Sequence, residues 1–385
     1  MSYFLISVSN KENLPLCQNI FWQWSLFKGQ KMDLMSKHIA LTSLILLIIS
    51  LISLYTTPQS NFLKYYKYNI NIPLNPKIQK IDEEKDYILY KVYYTSINNQ
   101  TVPALLFIPK TDTPPYPCII FLHGYGGKKE DATLLAKEVT SQGYAVFSID
   151  APLHGERRQP GKQLYSPDIN ATKQGFIQAV IDLRRAVDLL ETIPKIDKDR
   201  IGYAGGSMGG IIGAIFISVE PRIKAAVLVV PGGNMSLMIQ KSQHSAIPPI
   251  REYLKEQGIS YDELQKTLDP IDPINFIHLY SPRPLQIHLG KNDMIVPAEA
   301  GKQLAEKAGQ PKEIYWYNAG HGLPLDIVLA RALDFFDKHL KGTKPTITRE
   351  LKIQLIRNIP LIILFLTIIT LAILIKKNII RQSKQ

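Results

Sequence analysis

Ser207 lies in the stretch GGSMG, Asp293 in LGKNDMIVP and His321 in NAGHGLP, in that order along the chain. Together these side-chain types can break an acyl bond. A serine hydroxyl is a weak nucleophile, so it needs an imidazole base, and the imidazole needs a carboxylate to orient it. Gly205 and Gly209 flank the serine at the spacing of a G-x-S-x-G turn, where the nucleophile projects from a sharp bend between a strand and a helix. Glycine and serine are also ordinary turn residues, so the pentapeptide alone fits an incidental serine equally well. Asp293 fits a helix cap as well as an orienting acid, and His321 fits a loop position beside two glycines. The loop PGGNMS, where a rival acid could stand, holds no carboxylate.

Acyl transfer also requires donors for the oxyanion. HGYGG at 123–127 follows an apolar run, and its glycines let backbone N–H groups face an anion. The expected donors are the N–H groups of Tyr125 and Met208. His123 is expected to brace this loop by hydrogen bonding rather than to serve as a rival base. Met235 and Met238 are expected to line a substrate pocket or lid, with ordinary packing against the sheet as the alternative. No metal or organic cofactor is expected, because this chemistry needs none.

These residues require a scaffold. PCIIFL (117–122), YAVFSI (144–149), RIGYAG (200–205), KAAVLVV (224–230), PLQIHLG (284–290) and EIYWYNA (313–319) are short apolar runs of the kind found in parallel sheets covered on both faces. Helical patterns fill the intervals at 130–142, 172–193, 207–219, 297–309 and 325–340. The alternation predicts an α/β protein with a mostly parallel central sheet and helices on both faces. DYILYKVYYTS and VPALLFIP precede it as a strand pair across INNQ. Residues 232–282 exceed what a crossover needs and read as an inserted cap. Every candidate polar residue follows the carboxyl end of a strand, where such sheets gather ligands.

HGYGG, DAPLHGER, GGSMGG, LGKNDMIVP and AGHG, in this order and spacing, resemble the α/β-hydrolase superfamily, particularly its dienelactone-hydrolase-like, acetyl-esterase-like and prolyl-oligopeptidase-like branches. The resemblance covers roughly residues 85–342. It implies an α/β-hydrolase fold with Ser207 as nucleophile, His321 as general base and then acid, and Asp293 as its orienter. Asp150 and His154, in DAPLHGER, match positions that shape the wall of the site. Dienelactone hydrolases often use a cysteine nucleophile, so the serine here counts against that substrate.

The ends of the chain differ in character. IALTSLILLIISLISLYTT (39–57) and IPLIILFLTIITLAILI (359–375) carry no charge. As helices they would span roughly 26 to 29 Å, near the ~30 Å of a bilayer core, so two transmembrane helices are expected to flank the domain. The first run also reads as a secretory signal, but no small-x-small cleavage pattern follows it, and Met1, Met32 and Met35 are alternative starts. The expected organisation is a tail (1–38), a transmembrane helix or signal anchor (39–57), a linker (58–84), a hydrolase domain (85–342) with its cap at 232–282, a basic linker (343–358), a transmembrane helix (359–375) and a basic tail (376–385).

The formal net charge of +12 is dense beside the apolar runs, which fits membrane flanks. No basic block interleaves with aromatics, so nucleic acid is not an expected partner. Basic residues are nearly balanced around the first run and place the catalytic domain only weakly on the non-cytoplasmic side. Two cysteines, Cys17 and Cys118, give no disulfide framework, and Cys118 reads as a small buried hydrophobe. The combined expectation is a membrane-tethered serine hydrolase that cleaves a small-molecule or lipid-like carboxylic ester through an acyl-enzyme on Ser207. The alternatives are a serine peptidase of prolyl-oligopeptidase type, although residues 58–84 leave no room for a propeller, and a catalytically silent membrane binding protein.

Overall fold

A computed structural model describes residues 42–46, 58–111 and 113–360, with the single positions 363 and 367. A short N-terminal unit ends at Ser60 and includes the helical residues 42–46. Everything below concerns the large unit that starts at Asn61.

That unit is built on a nine-stranded sheet. Its strands are β1 (Lys77–Glu83), β2 (Tyr87–Thr95), β3 (Thr101–Pro109), β4 (Tyr116–Leu122), β5 (Ala145–Ile149), β6 (Ile196–Gly206), β7 (Ile223–Val229), β8 (Leu285–Gly290) and β9 (Lys312–Tyr317). They run in the order β1-β2-β3-β5-β4-β6-β7-β8-β9. The pairings β1–β2, β2–β3 and β3–β5 are antiparallel, and every pairing from β5 across to β9 is parallel.

The apolar runs of the central strands supply both faces of this sheet, since successive strand residues point to opposite sides. In β4, Cys118, Ile120 and Leu122 join one core, while Ile119 joins the other. In β7, Ala226 and Leu228 join the first and Ala225 and Val227 the second. The helices are α1 (Thr133–Ser141), α2 (Ile169–Leu190), α3 (Met208–Val219), α4 (Met235–Lys241), α5 (Pro248–Glu256), α6 (Tyr261–Leu268), α7 (Ala298–Lys307) and α8 (Leu325–Phe336). Residues of α2, α3 and α7 complete the first core, and residues of α1 and α8 the second.

Helices α4 to α6 and the short turns up to Tyr280 occupy the long interval between β7 and β8. A buried carboxylate organises this segment. Asp272 accepts the N–H groups of Asn234 at 2.9 Å and Met235 at 2.7 Å, so it fixes the start of α4. Ser260 and Glu263 cap α6 reciprocally.

Two stretches expected as linkers carry structure. Tyr66 is buried, donates its hydroxyl to the Pro270 carbonyl at 2.7 Å and meets the Phe276 ring edge-on. Its polar neighbours Lys64 and Lys67 conceal this anchor in the sequence. At the other end, residues 349–360 are helical, and Arg349 pairs with Asp334 and Asp337 while Glu350 pairs with Arg331. Charge complementarity with α8 therefore orders a segment whose composition reads as a spacer.

The expectation of two flanking transmembrane helices is corrected. Among the described residues no helix is long and apolar enough to cross a membrane. The longest, α2, carries Asp182, Arg184, Arg185 and Asp188, and the helical residues 349–360 include Arg349, Glu350, Lys352 and Arg357. Charges of this density oppose insertion into hydrocarbon. Most of the apolar runs at 39–57 and 359–375 lies outside the described residues.

Candidate active site

β6 delivers Ser207 and α3 begins at the next residue. The serine has φ 53° and ψ −118°, a left-handed conformation that costs a non-glycine residue about 1–3 kcal/mol. Neighbouring bonds hold the bend. The Ser207 N–H donates to Val229 O at 2.9 Å, Ile211 N–H donates to Ser207 O at 2.9 Å, and the Tyr203 hydroxyl donates to Gly209 O at 2.6 Å. Gly209 has no alternative here, because a Cβ on it would stand 2.1 Å from the Leu122 carbonyl oxygen. The first turn of α3 thus passes against the end of β4.

His321 follows β9 and Asp293 follows β8, so both reach the same edge of the sheet. His321 Nε2 lies 3.0 Å from Ser207 Oγ, and His321 Nδ1 lies 2.8 Å from Asp293 Oδ2. The other Asp293 oxygen accepts the N–H groups of Ile295 at 2.9 Å and Val296 at 3.0 Å. An ionised carboxylate only accepts, so Nδ1 carries the imidazole proton and the Nε2 lone pair faces the serine hydroxyl. Asp293 is 3% exposed, which shields this contact from competing water.

The HGYGG loop lies beside the serine, for a Cβ on Gly124 would stand 3.7 Å from Ser207 Cβ. The N–H of Met208, in the first turn of α3, has no acceptor within its own helix. Tyr125 packs edge-on against His154 at 5.3 Å and His244 at 4.9 Å, and donates its hydroxyl to Gln163 Oε1 at 3.1 Å. A cavity of about 40 Å³ opens at Ser207, lined by Tyr125, Met208, Ile211, Met235, Met238 and Ile295 among others. The structure therefore brings every candidate site residue of the sequence to one place.

The profile of the acetyl xylan esterase (AXE1) family matches residues 59–322, well over half of the 385 residues. The chain belongs to the acetyl xylan esterase (AXE1) family. It is a hydrolase acting on ester bonds. Esterase YjfP of Escherichia coli (strain K12) is 24% identical over 250 residues, which is 62% of this chain and 96% of the relative. The acetyl xylan esterase from Paenibacillus sp. R4 shares the fold with a TM-score of 0.63 at 19% identity, covering 74% of this chain and all of the other. Acetyl xylan esterase 1 from Thermoanaerobacterium sp. JW/SL YS485 superposes with a TM-score of 0.63 at 18% identity, covering 72% of this chain and 92% of the other. These solved structures establish the α/β-hydrolase fold that the motifs resemble.

In this esterase His123 is a brace. Its Nε2 accepts the Ala151 N–H at 3.2 Å, so Nδ1 carries the proton and donates to Gly124 O at 2.7 Å. Burial depresses its pKa and keeps it neutral. Asp150 stands behind the loop, accepting the N–H groups of Lys129 at 2.8 Å and Glu156 at 3.0 Å and pairing with Lys129 Nζ at 3.0 Å. His154, its Nδ1 2.9 Å from Pro152 O, packs on His123 and Tyr125 and so supports the wall residue Tyr125 without itself lining the cavity at Ser207.

Sequence reasoning missed His244 and Lys129. His244 sits in the cap with no motif around it, and only the folded chain sets it beside Tyr125. Lys129 directly follows HGYGGK, so its proximity to the loop was legible, whereas its burial was not. Among the described residues, no group of three or more His, Cys, Asp or Glu side chains is placed to hold a metal ion.

Proposed function

We propose that the protein is a serine esterase that removes a short acyl group, acetyl foremost, from an oxygenated alcohol of the carbohydrate type. The observation that carries this reading is the pair of contacts from His321, 3.0 Å to Ser207 Oγ and 2.8 Å to Asp293 Oδ2. Ser207 Oγ attacks the acyl carbon as its proton passes to His321 Nε2, and the N–H groups of Tyr125 and Met208 stabilise the oxyanion. The ester C–O bond then breaks, and the departing alkoxide takes the proton from His321. Water attacks the acyl-enzyme, gives a proton to His321, and the serine recovers that proton as the carboxylic acid leaves.

Two features support the substrate class. The cavity at Ser207 is small, about 40 Å³, and is lined by bulky side chains such as Tyr125, Met235 and Met238, which favours a short acyl group over a long chain. The oxygenated alcohol is supported by membership of a family described as acetyl xylan esterase. A series of p-nitrophenyl esters from acetate to octanoate, with wild type and Ser207→Ala, tests the reading. Turnover is expected to be highest for acetate and to vanish in Ser207→Ala, together with labelling by a fluorophosphonate. Equal turnover by Ser207→Ala, or a preference for octanoate, would sink it.

A further inference from the structure

His244 is the imidazole that the mechanism above leaves unused, although it lines the same cavity as Ser207. Its ring stands perpendicular to Tyr125 at a centroid distance of 4.9 Å. The segment that carries it is stitched to the loop that carries Asp293. Ser242 Oγ donates to Ile295 O at 2.5 Å, Gln243 N–H donates to Met294 O at 2.8 Å, and His244 N–H donates to Ser242 Oγ at 3.0 Å. The cap thus holds this ring in a fixed relation to the acid of the site.

The tautomer is fixed as well. His244 Nδ1 accepts the Ala246 N–H at 3.1 Å, so the neutral ring carries its proton on Nε2. No hydrogen bond to that Nε2 is formed among the described residues. Partial burial, with repulsion from the neighbouring His321, depresses the His244 pKa and favours the neutral ring. A neutral imidazole with a fixed, unused N–H suits a hydrogen-bond donor more than a proton shuttle.

An ester offers few acceptors for such a donor. Its carbonyl oxygen turns to the backbone N–H groups and its alkoxy oxygen to His321. We infer that His244 is a specificity residue, donating Nε2–H to a hydroxyl or ether oxygen borne by the alcohol half of the substrate next to the ester. This rests on the serine-esterase reading above. It predicts a preference for acetyl esters of polyols over those of simple alkanols, since a site built to hydrogen-bond an oxygen discriminates against the analogue lacking it.

The test compares kcat/KM for glycerol monoacetate and ethyl acetate in wild type, His244→Phe and His244→Gln. The ratio of the two values is expected to fall about fivefold in His244→Phe, the worth of one hydrogen bond, mainly through KM, and to recover at least halfway in His244→Gln. Fluorophosphonate labelling of Ser207 in each variant verifies a folded site. A ratio within about twofold of wild type in His244→Phe, or one equally low in His244→Gln, overturns the inference. Wild type without turnover of either ester would instead overturn the esterase reading on which it rests.

Discussion

Asp293 and His321 meet at 2.8 Å through Oδ2 and Nδ1, and the second oxygen of Asp293 is occupied by two backbone N–H groups. The carboxylate is therefore held by contacts independent of the imidazole. Asp293→Asn retains the shape but presents an amide that can donate where Nδ1–H also donates, which favours the wrong tautomer of His321. Steady-state kinetics with p-nitrophenyl acetate should show kcat lower by on the order of 10³–10⁴-fold, with near-wild-type thermal stability. A loss below about tenfold would remove Asp293 from the role of orienter.

Lys129 and Asp150 form a buried pair, 1% and 0% exposed at the side chain, with Glu130 and Glu156 also on the ammonium at 2.9 and 2.7 Å. Burial alone would lower the lysine pKa, but its hydrogen bonds to Glu156, Glu130 and Asp150 outweigh that and hold it charged. Lys129→Met leaves a buried carboxylate without its cation, at a cost of about 3–5 kcal/mol. Chemical denaturation should register that loss, and Lys129→Met/Asp150→Asn should recover part of it. If the single variant matched wild type in urea, the pair would be structurally idle.

The esterase should lose stability in acid by two separate routes. Burial, reinforced by repulsion from Arg331, pushes the pKa of His288 down to about 3 from an ordinary 6.5. Its nitrogens lie 2.8 Å from Tyr317 Oη and 2.8 Å from Gln286 Oε1. Below pH 6.5 the unfolded chain binds a proton there that the native ring refuses, so stability is full above 6.5 and declines as the pH falls toward 3. Burial raises the pKa of Glu156, but hydrogen bonds from Lys129, Tyr93 and Lys91 bring it to about 2 from 4.5. That contribution is complete above 4.5 and is lost between there and about 2. Urea midpoints at pH 7.5, 5 and 3.5 should fall in that order, with a smaller final step in Glu156→Gln. Midpoints that rise in acid would contradict both assignments.

The elbow was readable from sequence because its requirements are local. A strand, two glycines around a serine and a helix within a dozen residues leave the backbone few alternatives, and Gly209 against Leu122 O shows why no Cβ is tolerated. The chain order Ser207, Asp293, His321 was equally legible, since each residue follows a strand whose apolar run is unmistakable. The expectation of membrane spans at the termini rested on composition alone; among the described residues no helix is long and apolar enough to cross a membrane, and most of both runs lies outside those residues.

What only the tertiary structure decided lies between segments distant in sequence. Tyr66 under the Pro270 carbonyl, Arg349 on Asp334 and His244 against Tyr125 depend on how loops from different strands meet. No short-range pattern encodes those meetings, because each pairs an ordinary residue with a partner brought near only by packing of the whole sheet. The sequence by itself determined the nucleophile's turn, the parallel sheet and the order of the three polar side chains. The folded chain decided their distances, the buried Lys129–Asp150 support behind them and the second imidazole lining the cavity, because side-chain approach is set by nonlocal packing.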